Sequence, residues 1–157
     1  MKISPVEELI LDIFLCTEIN KPKWDKLAKY FAQIIEVAKD NLIIDWDTGE
    51  VGSGKVYVQI RADEDTLVLE ALGNNFANGK LPPDAINSLL ELGWVAPEVL
   101  DDCPNFSRRF ETYEMNYEVI GKFVMETFRN GYACTLKQKL SVGPEWVAKK
   151  YPFFMNN

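Results

Sequence analysis

Apolar and polar positions along this chain follow two different periods, and the switches between them lay out its elements. Residues 5–19 keep a helical three-four spacing through Val6, Leu9, Ile10, Ile13 and Phe14. Leu11, Leu15 and Cys16 widen that stripe beyond half the circumference, so this helix asks for two neighbours, the core and a second subunit being candidates. Ser4 suits the cap, Pro5 the first helical position, and Glu7 and Glu8 the first turn. Asn20-Lys21-Pro22 then breaks the chain. A second helix is expected over about Pro22–Ala38, where Trp24, Leu27, Ala28, Phe31, Ile34, Ile35 and Ala38 form one stripe with lysines and Glu36 outside it.

The period then drops to two. Leu42, Ile44 and Trp46 alternate with Ile43, Asp45 and Asp47, and Val56, Val58 and Ile60 alternate with Tyr57, Gln59 and Arg61. Asp63-Glu64-Asp65 makes a polar turn into Thr66–Gly73, giving three antiparallel strands in a meander with one face buried. Pro82 or Pro83 opens a short helix carrying Ile86, Leu89 and Leu90, and Gly93 ends it as a left-handed cap. Pro97–Phe110 reads as irregular. A further helix is expected over about Tyr113–Asn130, through Tyr117, Ile120, Val124 and Phe128, stopping at Gly131. Gly143-Pro144-Glu145 starts a last one, anchored by Trp146 and Val147. The order is α-α-β-β-β-α-α-α. That predicts an α+β fold: an antiparallel sheet of three strands or more with helices on one face. Residues 1–21 form an additional N-terminal helix and residues 22–157 a single domain.

Composition narrows the function classes. A length of 157 residues with 47% hydrophobic and 12% aromatic content supports one domain with a sizeable core. A net charge of −7 leaves no basic excess to displace phosphate counterions, which argues against nucleic acid as a partner. It is compatible with a cationic protein partner, although solubility alone accounts for an acidic surface. Histidine is absent, which removes histidine-dependent triads, histidine-ligated zinc and imidazole acid–base work. Cys16, Cys103 and Cys134 are odd in number and far apart, as in a protein of the reducing cytoplasm without a disulfide framework. Glu7, Glu8 and Asp12 stand where a signal peptide needs a basic start and an apolar run. No apolar stretch reaches a membrane span of roughly 18 residues.

The remaining chemistry is sparse. Gly49–Lys55 has the glycines and lysine of a phosphate-binding loop, but Val56 replaces the Ser or Thr and a strand follows where a helix is required. Asp45, Asp47 and Glu50, and likewise Asp63, Glu64 and Asp65, lack the spacing of a calcium loop and read as solvated carboxylates. Cys16 reads as core, and Cys103 follows two aspartates with no base to activate it. No cofactor, metal or catalytic set emerges. Arg108 and Arg109, between Phe106 and Phe110, suit carboxylate or peptide recognition, or else pair with Asp101, Asp102 or Glu111. Trp94 and Trp146 fit either a binding surface or a core plug.

Read together, the second helix with Trp24, KVYVQIRADEDTLVLEALGN, LPPDAINSLLELGWVAPE, NFSRRF and TLKQKLSVGPEWV resemble one family over residues 22–148. That family comprises the bacterial type III secretion and YbjN-like peptide-binding chaperones, in the actinobacterial N-terminal or stand-alone form. The resemblance implies a secretion-chaperone-like fold, frequent homodimers and non-enzymatic binding of an extended polypeptide. Tyr57, Gln59, Gly93, Trp94, Pro97, Asn105 and Phe106 are the positions that carry it, as fold markers as much as contacts. The expected peptide-binding residues are Tyr57, Gln59, Arg61, Trp94, Phe106, Arg108 and Arg109, serving a sheet edge or an apolar groove. The competing expectation is an acidic, immunity-type inhibitor of a folded toxin or effector.

Overall fold

The computed structural model describes residues 21–47, 55–73, 81–97, 104–136 and 140–151. The expected helix over 5–19, the glycine-rich connection at 49–54, Cys16 and Cys103 lie outside the described residues.

The apolar stripe of the first described helix, α1 (Lys21–Ala38), is buried along its length through Trp24, Leu27, Phe31, Ile34 and Ile35. It leads into β1 (Leu42–Asp47), β2 (Lys55–Asp63) and β3 (Thr66–Ala71), all antiparallel. The β2–β3 hairpin closes on Asp63 and Thr66 across a two-residue turn, with Glu64 in the left-handed region at φ 54. Helix α2 (Pro83–Leu92) starts at the second of two prolines and ends in a Schellman motif. There Gly93, at φ 113, donates its amide to Leu90 O at 3.1 Å, and Trp94 donates to Leu89 O at 3.1 Å.

The sheet is larger than the sequence pattern shows. Phe106–Glu111, expected as the end of an irregular stretch, is strand β4, and Leu140–Gly143 is strand β5. Five antiparallel strands lie in the order β4-β3-β2-β1-β5, so the meander is extended by one strand on each side. Helix α3 (Tyr117–Glu126) starts four residues later than expected, because the Asn116 side chain accepts the amides of Glu118 at 3.1 Å and Val119 at 3.2 Å. A 3-10 turn, Thr112–Glu114, precedes it, and a π-type turn, Thr127–Gly131, completes it. The last element is α4 (Glu145–Lys150), anchored by fully buried Val147, whereas Trp146 stays 49% exposed.

Strand register places Leu42, Ile44, Trp46, Val56, Val58, Ile60, Leu67, Leu69, Ala71, Phe106 and Phe110 on one face. Helices α1 and α3 pack over that face, and Trp46 is its centre. Its ring stacks on Trp24 at 5.5 Å and meets Phe128 at 5.3 Å, while its indole N–H donates to Thr135 O at 3.1 Å. The two helices touch at Gly121, where an added β-carbon would lie 2.5 Å from Ala32 N and 2.6 Å from Ala28 O. Tyr30 donates to Tyr151 O at 2.7 Å, tying the end of α4 to α1. The described helices therefore gather on one side, and the other side of the sheet carries polar residues together with Ile43 and Val68.

Candidate functional site

Strand β2 sits in the middle of the sheet, so its alternate residues Tyr57, Gln59 and Arg61 point away from the helices. Register fills in their neighbours on that outer face. Tyr57 lies beside Asp45; Gln59 lies between Ile43 and Glu70, with Ser107 beyond; and Arg61, Val68 and Arg109 form a row. Four of the seven residues expected to contact a peptide, Tyr57, Gln59, Arg61 and Arg109, thus share one surface. The other three do not. Trp94 is 3% exposed, packed on Phe123 at 5.0 Å, and its indole N–H donates to the Thr127 hydroxyl at 2.9 Å. Phe106 is likewise buried in the core. Arg108 lies on the helix side of β4, over the Phe110 ring at 4.2 Å and 3.7 Å from the Glu114 carboxylate. Adjacent arginines on a strand must diverge, and here they serve different surfaces.

Tyr57 is held in place at one end of this face. Its hydroxyl accepts a hydrogen bond from Asn105 Nδ2 at 3.2 Å, and Asn105 Oδ1 accepts the Gly73 amide at 3.0 Å. Tyr132 donates to Leu72 O at 2.7 Å beside them. Asn105, one of the residues carrying the family resemblance, therefore stitches β4 to the end of β3. Arg61 pairs with Asp63 at 3.8 Å, in the open, where such a contact contributes little.

The surface also holds residues that the sequence did not single out for it. Asp45, expected to be solvated, is half-buried between Tyr57 and Ser141, and desolvation raises its carboxyl pKa against the opposing pull of Lys55. Val68 is 3% exposed in the middle of the outer row. Ser107 is buried, and its hydroxyl has no hydrogen-bond partner. Alternation alone marked Asp45, but burial on this face depends on strands β4 and β5, which were not visible in the pattern.

Three titratable side chains among the described residues, Tyr30, Tyr132 and Cys134, are buried in the core. Burial pushes the Tyr30 hydroxyl and the Cys134 thiol up to about 12, and raises Tyr132 as well, which keeps all three protonated. No group of three or more metal-ligating side chains occurs among the described residues. A groove of about 500 Å³ between α1 and α3 has Ala28 and Ala32 in its floor and Asp25, Lys29, Glu118 and Lys122 around it. No described helix is long and apolar enough to cross a membrane.

Comparison with protein families settles the wider identity. The family model for T3SS (YopN, CesT) and YbjN peptide-binding chaperone 3 matches residues 19–144. The chain belongs to this peptide-binding chaperone family. No curated protein matches it, and no solved structure does. The family match begins just before α1 and ends just after β5, so it takes in all five strands and the outer face described above.

Proposed function

We propose that this chaperone is a non-enzymatic polypeptide-binding adaptor that receives an extended client segment on the outer side of its sheet. The observation that carries this reading is the gathering of Tyr57, Gln59, Arg61 and Arg109 on the face opposite the described helices. Such a face offers what an extended chain needs: amide and hydroxyl groups for its backbone, guanidinium groups for its carboxylates, and apolar Ile43 beside Gln59. Family membership supports the class of partner, and the shared face in the strand register supports the choice of residues.

The net charge of −7 favours a second reading, an acidic inhibitor that masks a basic folded protein. Salt separates the two, because long-range attraction between exposed charges is screened while short-range strand and side-chain contacts persist. The experiment measures binding of a permanently unfolded polypeptide, reduced carboxymethylated α-lactalbumin, and of a folded basic protein, cytochrome c, at low and high salt. The chaperone reading expects the unfolded probe to bind and to stay bound at high salt. It further expects Tyr57→Ala combined with Arg109→Ala to weaken that binding about ten-fold, as for anchoring residues in an interface. Binding of the folded basic protein alone, lost at high salt, would establish the inhibitor instead.

A further inference from the structure

Helices α1 and α3 run antiparallel. Lys39, just past the end of α1, donates to the hydroxyl of Tyr117, the first residue of α3, at 2.9 Å. Arg129, just past α3, lies 5.6 Å from the ring of Trp24 near the start of α1. Between these ends Gly121 lets the two backbones meet at Ala28 and Ala32. A groove of about 500 Å³ runs along this crossing, floored by half-buried Ala28 and by buried Ala32 and Met125. Its walls carry Asp25 and Lys29 from α1 and Glu118 and Lys122 from α3, all four exposed.

Each wall thus has an acid four residues before a lysine, the spacing and order that favour a pair within one helix. Glu145 and Lys149 of α4, at the same spacing, do close to 2.9 Å. Asp25 and Lys29 do not, nor do Glu118 and Lys122, and none of these four side chains forms an ion pair among the described residues. The antiparallel crossing sets how their charges are laid out. Lys122 follows Gly121 and Lys29 follows Ala28, so the two lysines stand opposite one another at the point of closest approach. Asp25 and Glu118 fall about one turn away, roughly 6 Å along the axis, toward opposite ends.

The groove is therefore cationic at its centre and acidic at both ends, over an apolar floor. Two facing ammonium groups repel, and an anion between them replaces that repulsion with two attractions. Each lysine brings several N–H donors, which suits the many acceptor sites of a phosphate. A bare anion is repelled by the acidic ends, whereas an ammonium arm on the same molecule is drawn to them. We infer that the α1–α3 groove binds a small zwitterion, a phosphate monoester with an ammonium arm. Its phosphate sits between Lys29 and Lys122, and its ammonium group lies against Asp25 or Glu118. The site belongs to the helical layer, across the core from the outer face of the sheet, and stands independently of the client reading.

The test follows amide chemical shifts of the full chain by NMR during titration with O-phosphoethanolamine, inorganic phosphate or ethanolamine at low salt. O-Phosphoethanolamine should shift amides of residues 25–32 and 118–125 saturably, and bind about five-fold or more tightly than either fragment. Lys29→Met and Lys122→Met keep an apolar stem while removing the charge, and each should weaken that binding about ten-fold. Asp25→Asn combined with Glu118→Gln should lower the affinity for the ester to that for inorganic phosphate. These are exposed positions, and an unchanged thermal midpoint verifies that each variant is folded. Inorganic phosphate binding as tightly as the ester would reduce the groove to a plain anion site and overturn the inference. Shifts confined to residues outside the groove, no shifts in the wild-type chain, or an affinity untouched by both lysine variants would overturn it as well. None of these outcomes bears on the outer face, whose binding of the unfolded polypeptide is measured separately.

Discussion

A methyl group at position 121 has nowhere to go. The nearest atoms to an added β-carbon are the Ala32 amide nitrogen at 2.5 Å, the Ala28 carbonyl at 2.6 Å and the Ala32 α-carbon at 2.8 Å, all backbone of the facing helix. Gly121→Ala must therefore push α1 and α3 apart, and overpacking of this kind costs about 1–3 kcal/mol. Urea unfolding should show a lowered midpoint with an unchanged slope. Asp45 gives a prediction with a pH sign. Its folded pKa is raised above the ordinary 3.8 by burial, so the folded state binds the proton more tightly than the unfolded state. Its contribution to stability then falls as pH rises from 3.8 through the raised value, and at neutral pH the buried charge is a net cost. Asp45→Asn should raise the thermal midpoint at neutral pH, and the gain should vanish below 3.8, where both states of the wild type are protonated. A gain that persisted in strong acid would assign the effect to something other than ionisation.

Among the elements, α2 was legible in the sequence at both ends, since its start and stop are written in backbone chemistry. Pro83 fits the first turn, and Gly93 adopts the left-handed conformation at φ 113 that a side chain resists. Gly93→Ala has free space for its methyl group, so its cost is conformational alone, about 1–2 kcal/mol. Thermal unfolding should show that loss, and Gly93→Asn, which tolerates this conformation better, should recover part of it. Strand β4 shows the opposite case. Phe106-Ser107-Arg108-Arg109-Phe110 has two charges in a row and no clean alternation, because Arg108 on the helix side folds back over Phe110 instead of entering the core. Its strand character comes from β3 and from Val95, both distant in sequence. Strand β5, four residues long, likewise exists through its pairing with β1. The candidate site inherited this split. Tyr57, Gln59 and Arg61 were readable from period-two alternation, whereas separating Arg109 from Arg108 required the register of a strand the pattern hid.

At the scale of the whole molecule, the described core is gathered along the apolar stripe of α1. Helix α1 spends its stripe on Trp46, α3 and the sheet, and Trp24, Leu27, Phe31, Ile34 and Ile35 all fall in one buried cluster with Ile120, Val124 and Phe128. The family match starts at residue 19, at the threshold of α1. A folding unit that begins there makes a testable prediction. A chain beginning at Lys21 should accordingly unfold in one cooperative transition, with a midpoint within a few degrees of the full chain and a urea slope reduced only in proportion to the residues removed. The outer face supplies the discriminating readout, because Val68 is buried on it. If the first twenty residues belong to the same cooperative unit, their loss will broaden the transition and speed hydrogen exchange along β3, starting at Val68. If they are an addition to a self-sufficient domain, exchange along β3 will keep its protection and the shortened chain will bind the unfolded probe as the full chain does. The second result is expected, since the buried aromatic centre on Trp46 that holds the sheet flat against its helices lies wholly within residues 21–151.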